Sequence, residues 1–272
     1  MPELPEVETV ARQINRAVKG STIKCLVAYD HKLNLPKKIV FKKSKIISVS
    51  RIGKQIIFSL SGTPNKYKNL AVHLRMSGRL TFLNKSQRNN IDSPSHHIRA
   101  DLELNNGYLT FIDPRRFGTF KFSSSIDTFL PIGIEPLSKS FDSKVLKNLL
   151  KNSKTPIKPW LLKQDKVVGI GNIYASEILF KAKISPLRQA VSLSLKEIQR
   201  LTIAIQLILK KAIENCGTTF SDFQDAHGVT GSYQKFLKVY DREALKCRSC
   251  SAKIKRIVQA QRSTFYCPKC QR

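Results

Sequence analysis

The sequence predicts an α+β fold, with an antiparallel β-sandwich or barrel behind a single opening helix, then a helical domain and a short C-terminal hairpin. Three observations predict it. Runs rich in β-branched residues, each bounded by turn residues, recur between Thr22 and Phe122. Apolar residues recur at helical spacing between Ser143 and Asn215. Four of the six cysteines form two close pairs between Cys247 and Cys270.

The first part is predicted to open with an amphipathic helix. Apolar residues repeat at helical spacing from Leu4 to Val18, and Gly20 follows as a stop signal. The Asn106-Gly107 pair supplies a tight hairpin turn between two of the predicted strands. The strands are predicted at Thr22–Tyr29, Lys38–Lys42, Ile46–Ser50, Gln55–Leu60, Leu70–Leu74, Arg79–Leu83, Ile98–Leu104, Tyr108–Ile112 and Phe117–Phe122.

The composition changes between Ser123 and Pro136, where serines, prolines and a glycine cluster, and we place a domain boundary there. Residues 217–241 show no sustained period, and an irregular stretch of this length in a compact protein is usually functional or disordered. Helices are predicted beyond the boundary at Ser143–Lys151, Pro159–Lys166, Asn172–Ala182 and Leu195–Asn215.

The charge of the chain predicts a polyanionic partner. Its 272 residues include 48 Lys and Arg against 19 Asp and Glu, a net charge of +29 that is spread along the whole length. Nucleic acid is the leading candidate, because neutralising phosphates supplies affinity without regard to sequence. Anionic lipid competes less well, since no amphipathic arm with a large apolar face dominates. Without a spanning apolar run or a signal peptide, the protein is predicted to be soluble and intracellular.

The cysteine pairs Cys247-x2-Cys250 and Cys267-x2-Cys270 are separated by sixteen residues, enough for a hairpin. Two such pairs are typical of a tetrahedral zinc site, and two disulfides are the weaker alternative in an intracellular chain. Because all four ligands are thiolates, the predicted Zn²⁺ has a structural role, and the basic residues between the pairs suit phosphate contacts. Cys25 and Cys216 are predicted to be buried free thiols.

The first residues, Pro2 to Val10, allow two interpretations. Proline and acidic residues in the first turn suit a helix start, since proline lacks an N–H there and acids complement the helix dipole. If Met1 is removed, Pro2 also becomes a terminal secondary amine beside Glu3. Such an amine is far less protonated at neutral pH than lysine and condenses with an aldehyde to an iminium. Helix capping is the commoner role of such residues, so the rest of the chain must decide between the two interpretations.

Three further motifs admit both structural and nucleic-acid roles. Asp113-Pro-Arg-Arg-Phe-Gly118 could be a surface ion pair beside a core phenylalanine, or an exposed aromatic that wedges into a base stack. His73-Leu-Arg-Met-Ser-Gly78 offers Met76 as a second wedge. Gly169-Ile-Gly171-Asn172 precedes a helix whose N-terminus could approach a phosphate.

Taken together, these motifs resemble those of the bacterial formamidopyrimidine-DNA glycosylases, and the likeness covers nearly the whole chain. The resemblance implies a helix-two-turns-helix domain as the helical part, and a monomer that needs one structural Zn²⁺ and no small-molecule cofactor. The matching stretches occur in the family order, namely PELPEVETV, HLRMSG, DPRRFG, IKPWLL, VVGIGNIYASEILF, QRSTFYC and the four-cysteine finger.

The resemblance also implies roles for individual residues. Pro2 would be the nucleophile that attacks C1′ of the damaged nucleotide, Glu3 the acid/base, and Glu6 a support for the site. Lys54 would contact phosphate and assist elimination, and Arg262 would grip the phosphates that flank the lesion and assist the second elimination. The residues that fill the gap left by the extruded nucleotide would be Met76, Arg115 and Phe117, and those that contact the DNA backbone would be His97, Lys154, Lys158 and Asn172.

The resemblance divides the chain into a catalytic domain of residues 1–130, a helix-two-turns-helix domain of residues 131–238 and a zinc finger of residues 239–272. Segment 217–241 would close over the flipped base. The implied activity is base-excision repair of oxidised purines at the bacterial nucleoid, in the cytoplasm. An endonuclease VIII-like glycosylase for oxidised pyrimidines and a non-catalytic zinc DNA-binding protein are the alternatives; Leu4, where the first has glycine, favours the purine-directed branch.

Three positions depart from the commonest family pattern. Arg75 stands where many relatives have glycine, and Asp241 and Ala244 replace glycines that often precede the finger. These changes are expected to alter the mobility of the closing segment rather than to abolish activity.

Overall fold

The computed structural model describes residues 2–91, 97–218 and 231–272. The chain forms two compact units, one of Met1–Leu130 with Asn215–Ser232 and the other of Pro131–Glu214 with Tyr233–Arg272. The predicted α+β class is confirmed. The division into three domains stays a prediction. Within the described ranges, no helix has both the length and the apolar character that crossing a membrane requires.

The first unit opens with α1 (Leu4–Val18), as predicted, and Gly20 follows the helix at φ +83°. The helix forms because its apolar residues share one face. That face is buried against the strands and belongs to the same hydrophobic core. Its buried apolar side chains include Leu4, Val7, Val10, Ile14 and Val18.

Among the described residues of this unit, eight strands follow: β1 (Thr22–Ala28), β2 (Lys38–Ile52), β3 (Gln55–Ser61), β4 (Asn69–His73), β5 (Arg79–Leu83), β6 (Ile98–Leu104), β7 (Gly107–Ile112) and β8 (Thr119–Ser123). They form one antiparallel sheet in the order β5-β7-β6-β1-β2-β3-β4-β8. Phe111 of β7 and Phe120 of β8, from opposite sides of this order, approach to 5.0 Å between ring centroids, so the sheet is folded on itself as a sandwich. A short helix, α2 (Lys85–Asn89), which was not predicted, lies between β5 and β6.

Two of the predicted boundaries are wrong. The predicted strands Lys38–Lys42 and Ile46–Ser50 belong to one strand, because β1 pairs with β2 on both sides of an irregularity at residues 41–43, where Lys43 has a φ of +57°. From Lys45 onward β2 also pairs with β3. The helix predicted at Pro159–Lys166 is the shorter Ile157–Leu161.

The second unit contains four helices and a hairpin among its described residues. Along α6, apolar residues on one face are buried, and this face packs against α5. The elements are α3 (Ser143–Leu150), α4 (Ile157–Leu161), α5 (Asn172–Ala182), α6 (Leu195–Glu214), β9 (Lys255–Gln259) and β10 (Arg262–Tyr266).

The two isolated cysteines differ in exposure. Cys25 is buried, as predicted, with its Sγ 3.5 Å from Glu103 Oε2. The prediction that Cys216 is buried is wrong, because α6 ends at Glu214 and Cys216, at φ +56°, is exposed.

Candidate active site

The first turn of α1 brings together Pro2, Glu3 and Glu6, all of which are buried. Glu3 is the N-cap of the helix, and its backbone N–H donates to Glu6 Oε2 at 2.9 Å. The other oxygen of Glu6, Oε1, accepts the backbone N–H of Thr218 at 2.7 Å and its hydroxyl at 3.1 Å. Glu6 therefore joins the start of the helix to the beginning of segment 217–241.

Contacts along β2 show that the N-terminus of α1 points toward the β2–β3 turn. Asn15 Oδ1 accepts the Val49 N–H at 2.8 Å. About two helical turns nearer the start of α1, Glu8 Oε2 accepts a hydrogen bond from Arg51 Nε at 2.7 Å. The turn that comes next along the strand carries Lys54. The predicted phosphate-binding lysine thus lies at the same end of the sheet as the start of the helix.

Three neighbouring strands bring two further turns to this end of the sheet. Gln55, at the start of β3, pairs with His73 at the end of β4, and His73 pairs with Thr119 at the start of β8. Turn 74–78 follows β4, and turn 113–118 precedes β8. Both turns are therefore joined to the sheet at the row of paired residues Gln55, His73 and Thr119, so they lie beside the β2–β3 turn.

Asp113 connects these two turns. Its residue is 1% exposed, and its carboxylate accepts the Ser77 hydroxyl at Oδ1. At Oδ2 it accepts the backbone N–H groups of Phe117 at 2.8 Å and Gly118 at 2.7 Å. The Ser77 hydroxyl in turn accepts the Arg115 N–H at 3.2 Å. One buried carboxylate therefore fixes the backbone positions from which the predicted wedge residues project.

The tips of the two turns present apolar side chains to solvent. Met76 is 40% exposed and Phe117 50% exposed, so Phe117 is not a core residue. The Arg115 guanidinium lies 5.0 Å from the centre of the Phe117 ring. Arg116 takes the ion-pair role instead, since its Nε and Nη2 each donate to Asp30 at 2.7 Å. Hydrogen bonding to Arg116 lowers the pKa of the Asp30 carboxyl to about 2.

His73 is neutral at physiological pH. Burial lowers its pKa to about 4, and the nearby charges of Arg75 and Lys54 act in the same direction. Its Nδ1 accepts the Arg75 N–H at 3.0 Å, which requires that nitrogen to be unprotonated. The imidazole thus stabilises turn 74–78 only in its neutral form.

In the second unit, Lys158 anchors the start of α5 to β10. Lys158 is 1% exposed, and its ammonium donates to Asn172 Oδ1 at 2.6 Å, to Ser263 O at 2.8 Å and to Thr264 Oγ1 at 2.8 Å. Asn172 Nδ2 also donates to Ser263 O at 3.0 Å. An ammonium has three N–H donors, so these contacts match the full capacity of Lys158.

Arg262 is exposed at the tip of the β9–β10 hairpin, directly before Ser263. The turn that precedes it consists of Ala260 and Gln261, with φ values of +48° and +59°. Two consecutive positive φ values define a type I′ hairpin turn, which usually contains asparagine or glycine. Two residues with side chains in this geometry indicate local strain at the position of a predicted functional residue.

The four C-terminal cysteines form a compact set of sulfur ligands. Their Sγ atoms all lie within 4.8 Å of one another, with Cys247 and Cys270 at 3.9 Å and Cys250 and Cys267 at 3.4 Å. Tetrahedral Zn²⁺ with Zn–S bonds of about 2.3 Å separates its sulfurs by about 3.8 Å. The set therefore fits one Zn²⁺, and four thiolates would leave it no open position.

Family models match almost the whole chain. Residues 1–120 match the formamidopyrimidine-DNA glycosylase N-terminal domain, residues 132–224 its H2TH domain, and residues 244–272 the zinc finger found in FPG and IleRS. A formamidopyrimidine-DNA glycosylase of Pelotomaculum thermopropionicum is 40% identical over 283 residues, which cover 100% of this chain and 99% of the relative. The chain belongs to the formamidopyrimidine-DNA glycosylase family.

Other relatives agree with this assignment. The enzyme of the same name from Sodalis glossinidius is 40% identical, with 100% of both chains covered. The crystal structure of the MutM (Fpg) protein of Thermus thermophilus aligns with a TM-score of 0.84 at 37% identity, covering 99% of this chain and 98% of that one. A complex between Lactococcus lactis Fpg and DNA containing an abasic site aligns with a TM-score of 0.87 at 33% identity, covering 99% of each chain.

Two further residues to which the family resemblance gives a role, Lys154 and His97, lie in different parts of the structure. Lys154 is exposed between α3 and α4, and His97 is exposed directly before β6, with its carbonyl accepting the Asp113 N–H at 3.0 Å. Of segment 217–241, residues 219–230 lie outside the described ranges, so its closing role stays a prediction.

At three positions where relatives often have glycine, this chain carries another residue, and all three residues have the same backbone conformation. Arg75, Asp241 and Ala244 have φ values of +55°, +56° and +62°. This is the left-handed region that glycine enters without a steric penalty. The departures noted in the sequence therefore keep the backbone that a glycine would adopt.

Sequence reasoning missed two positioning carboxylates in this family member. Asp113 was considered as a surface ion-pair partner, but it is a buried acceptor. Glu177, on α5, accepts the backbone N–H groups of Lys238, Val239 and Tyr240 at 2.8 to 2.9 Å, directly before the zinc hairpin. The sequence did contain one signal for such a residue, namely an acid inside a run of residues that is otherwise expected to be buried. A buried carboxylate requires hydrogen-bond partners.

Proposed function

We propose that the chain is a bifunctional DNA glycosylase and abasic-site lyase of base-excision repair, which extrudes and removes oxidised purines such as 8-oxoguanine and formamidopyrimidines. One observation carries this proposal. A single end of the β-sandwich gathers Pro2 and Glu3, Lys54, and two turns with exposed Met76 and Phe117. Its relatives support the proposal, since those compared carry the glycosylase name and one is bound to DNA with an abasic site.

The proposed chemistry uses the secondary amine that Pro2 gains when Met1 is removed. Its nitrogen attacks C1′, the glycosidic bond breaks, and the base leaves with a proton while Glu3 assists opening of the sugar ring. The resulting iminium draws electrons from C2′ and makes its protons acidic. Loss of a C2′ proton expels the 3′ phosphate, and a second elimination expels the 5′ phosphate. Lys54 and Arg262 would assist these eliminations.

The wedge residues would offset the cost of extruding the damaged nucleotide. Unstacking and unpairing one base costs a few kcal/mol, and side chains that fill the vacancy recover part of it. We assign this role to Met76 and Phe117, and Arg115 would face the orphaned cytosine. Asp113 supports the assignment because it holds both turns to one carboxylate.

The second unit would hold the DNA backbone beside the lesion. Arg262, Lys154 and Asn172 are the phosphate contacts that we propose in this unit, and His97 is a further one in the first unit. For Lys158 we propose an indirect role, since its ammonium is buried and binds Asn172 and the hairpin. Segment 217–241 would close over the extruded base. This substrate would place the enzyme at the nucleoid, in the cytoplasm.

Borohydride trapping tests the mechanism most directly. A duplex with 8-oxoguanine opposite cytosine is incubated with the protein, and borohydride reduces the iminium to a stable amine. A covalent protein–DNA adduct is expected with protein that lacks Met1. The adduct should disappear when Met1 is retained, or when Pro2 is replaced by glycine with a blocked amine.

A second duplex with thymine glycol distinguishes the substrate class. Faster cleavage of the 8-oxoguanine duplex is expected, and a preference for thymine glycol would favour an endonuclease VIII-like enzyme. If clipped protein binds the lesion duplex but gives neither adduct nor strand cleavage, it is a zinc-stabilised DNA-binding protein and the mechanism is wrong.

A further inference from the structure

A cavity of about 330 Å³ lies in the second unit; its lining contains none of the proposed catalytic residues, although Tyr233, Phe236 and Lys238 belong to segment 217–241. One part of its lining is apolar and includes Phe180, Leu207, Ile208 and Phe236. The rest carries four lysines, namely Lys181, Lys183, Lys211 and Lys238. We call it the α5–α6 pocket, because α5 and α6 supply half of its lining. Its volume is at the lower end of the range for ligand pockets, and it has room for one or two side chains.

The wall of the α5–α6 pocket is held by contacts inside the protein. Glu177, which also lines it, fixes the backbone of residues 238–240 through three hydrogen bonds. The Lys211 ammonium lies 4.4 Å from the centre of the Phe236 ring, and this ring contacts Tyr233 at 5.8 Å between centroids. Basic and aromatic groups are therefore already in place before any partner arrives, which reduces the entropy lost on binding.

The α5–α6 pocket is separate from the proposed DNA contacts of the same unit. Asn172 begins α5 and faces β10, whereas Lys181 lies at the other end of the helix, about 14 Å away along its axis. Three of the four pocket lysines, Lys181, Lys183 and Lys211, lie near the C-terminal ends of α5 and α6, where the helix dipoles attract cations. These dipoles offset part of the repulsion among the lysines.

The chemistry of the lining indicates what the pocket would bind. No arginine lines it among the described residues, and arginine is the usual side chain for bidentate phosphate recognition. The one acid in its described lining is Glu177, whose carboxylate already accepts three N–H groups. Apolar Leu207, 43% exposed, and the Phe236 ring form a floor that a phosphate would not cover. A ligand with carboxylates that pair with the lysines and an apolar side chain that covers the floor would match both parts of the lining.

We propose that the α5–α6 pocket docks an acidic peptide segment of a partner protein, with an aromatic or leucine side chain inserted between Phe236 and Leu207 and carboxylates paired with the surrounding lysines. Charge complementarity would guide the peptide to the site, and burial of the apolar side chain would supply specificity. The lining contains none of the phosphate contacts proposed in this unit, so the glycosylase would bind the partner and its substrate together.

Fluorescence anisotropy with a labelled peptide tests this proposal. The probe is a hexapeptide of four aspartates followed by leucine and phenylalanine, and its control replaces the last two residues by serine. Full-length zinc-loaded protein is titrated at about 0.15 M salt, where long-range attraction to the basic surface is screened. Lys211→Glu is compared with Lys210→Glu, because Lys210 is exposed on the same helix and does not line the pocket. Leu207→Ser tests the apolar floor.

The probe should bind wild-type protein and Lys210→Glu equally, and Lys211→Glu and Leu207→Ser should each weaken binding about tenfold, equivalent to about 1.4 kcal/mol. Neither Lys211→Glu nor Leu207→Ser should change the affinity for an undamaged duplex by more than Lys210→Glu does. Equal binding of the serine control would show attraction by charge alone, and absence of binding would also overturn the proposal. A selective loss of duplex affinity in Lys211→Glu would instead assign the pocket to DNA.

Discussion

The Glu6 carboxylate joins two parts of the chain that are more than two hundred residues apart. Gly217 approaches this carboxylate so closely that a Cβ built on it would lie 2.6 Å from Glu6 Oε1, and its φ is +75°. We therefore predict that Gly217→Ala displaces Glu6 and with it the backbone of Glu3. Stability should fall by about 2 kcal/mol or more, and kcat/KM for excision of 8-oxoguanine should fall at least about tenfold, as a displaced catalytic group implies.

Gly20→Ala is the matched control for this substitution. Gly20 has a similar φ of +83°, but a Cβ there would have no atom within 4 Å. The control should lose only the backbone contribution of about 1 kcal/mol and keep its kcat/KM. Urea denaturation followed by circular dichroism measures the first quantity, and single-lesion cleavage kinetics the second. Equal activity in the two variants would show that Glu6 does not support the site.

His73 predicts how the first unit responds to acid. Its pKa in the folded protein, about 4, lies below the ordinary value of 6.5, so the unfolded chain binds a proton more readily between these pH values. Stability is lost as pH falls through this window, by about 3 kcal/mol at most. Protonation would also remove the acceptor for the Arg75 N–H. His73→Asn keeps an acceptor in place of Nδ1 without titrating, so its loss of stability between pH 7 and pH 5 should be smaller.

The difference between wild type and His73→Asn isolates this residue, because the carboxylates that titrate at lower pH are common to both proteins. Urea midpoints at the two pH values, followed by circular dichroism, provide the comparison. Parallel losses in the two proteins would mean that the imidazole can be protonated without disturbing turn 74–78.

At the scale of elements, apolar patterns were sufficient to locate several helices and strands. Helices α1, α5 and α6 and strands β5 and β6 begin where their apolar patterns predict. Strand β2 was divided in the prediction because Lys42, Lys43 and Ser44 look like a turn; the structure has an irregularity there, and pairing with β1 on both sides of it carries the strand onward. Hydrogen bonds between distant segments, such as those of Asp113 and Glu177, leave no periodic signal.

The β9–β10 hairpin depends on its metal site more than on its own core, since few apolar residues are buried there. We predict that zinc chelation, or Cys250→Ser, disorders the hairpin and removes Arg262 from its position, while the first unit stays folded. DNA affinity should fall at least about tenfold, and the β-sheet circular dichroism should persist. Cys216→Ser is the control, because Cys216 is an exposed thiol outside the cluster. Full DNA affinity after chelation would contradict a supporting role for zinc.

At the scale of the whole molecule, the net charge of +29 determines how the protein finds DNA. Each phosphate that a lysine or arginine neutralises releases a counterion, so affinity for an undamaged duplex should fall steeply with salt. With at least six such contacts, the loss between about 50 and 200 mM salt is on the order of a thousandfold.

Arg262→Gln should reduce the slope of log affinity against log salt concentration by about 1, whereas Lys210→Gln should leave it unchanged. Single-turnover excision at saturating enzyme should vary far less, since the charges act on binding and not on the glycosidic bond. Affinity measured by anisotropy that does not change with salt would mean that the basic surface has another partner.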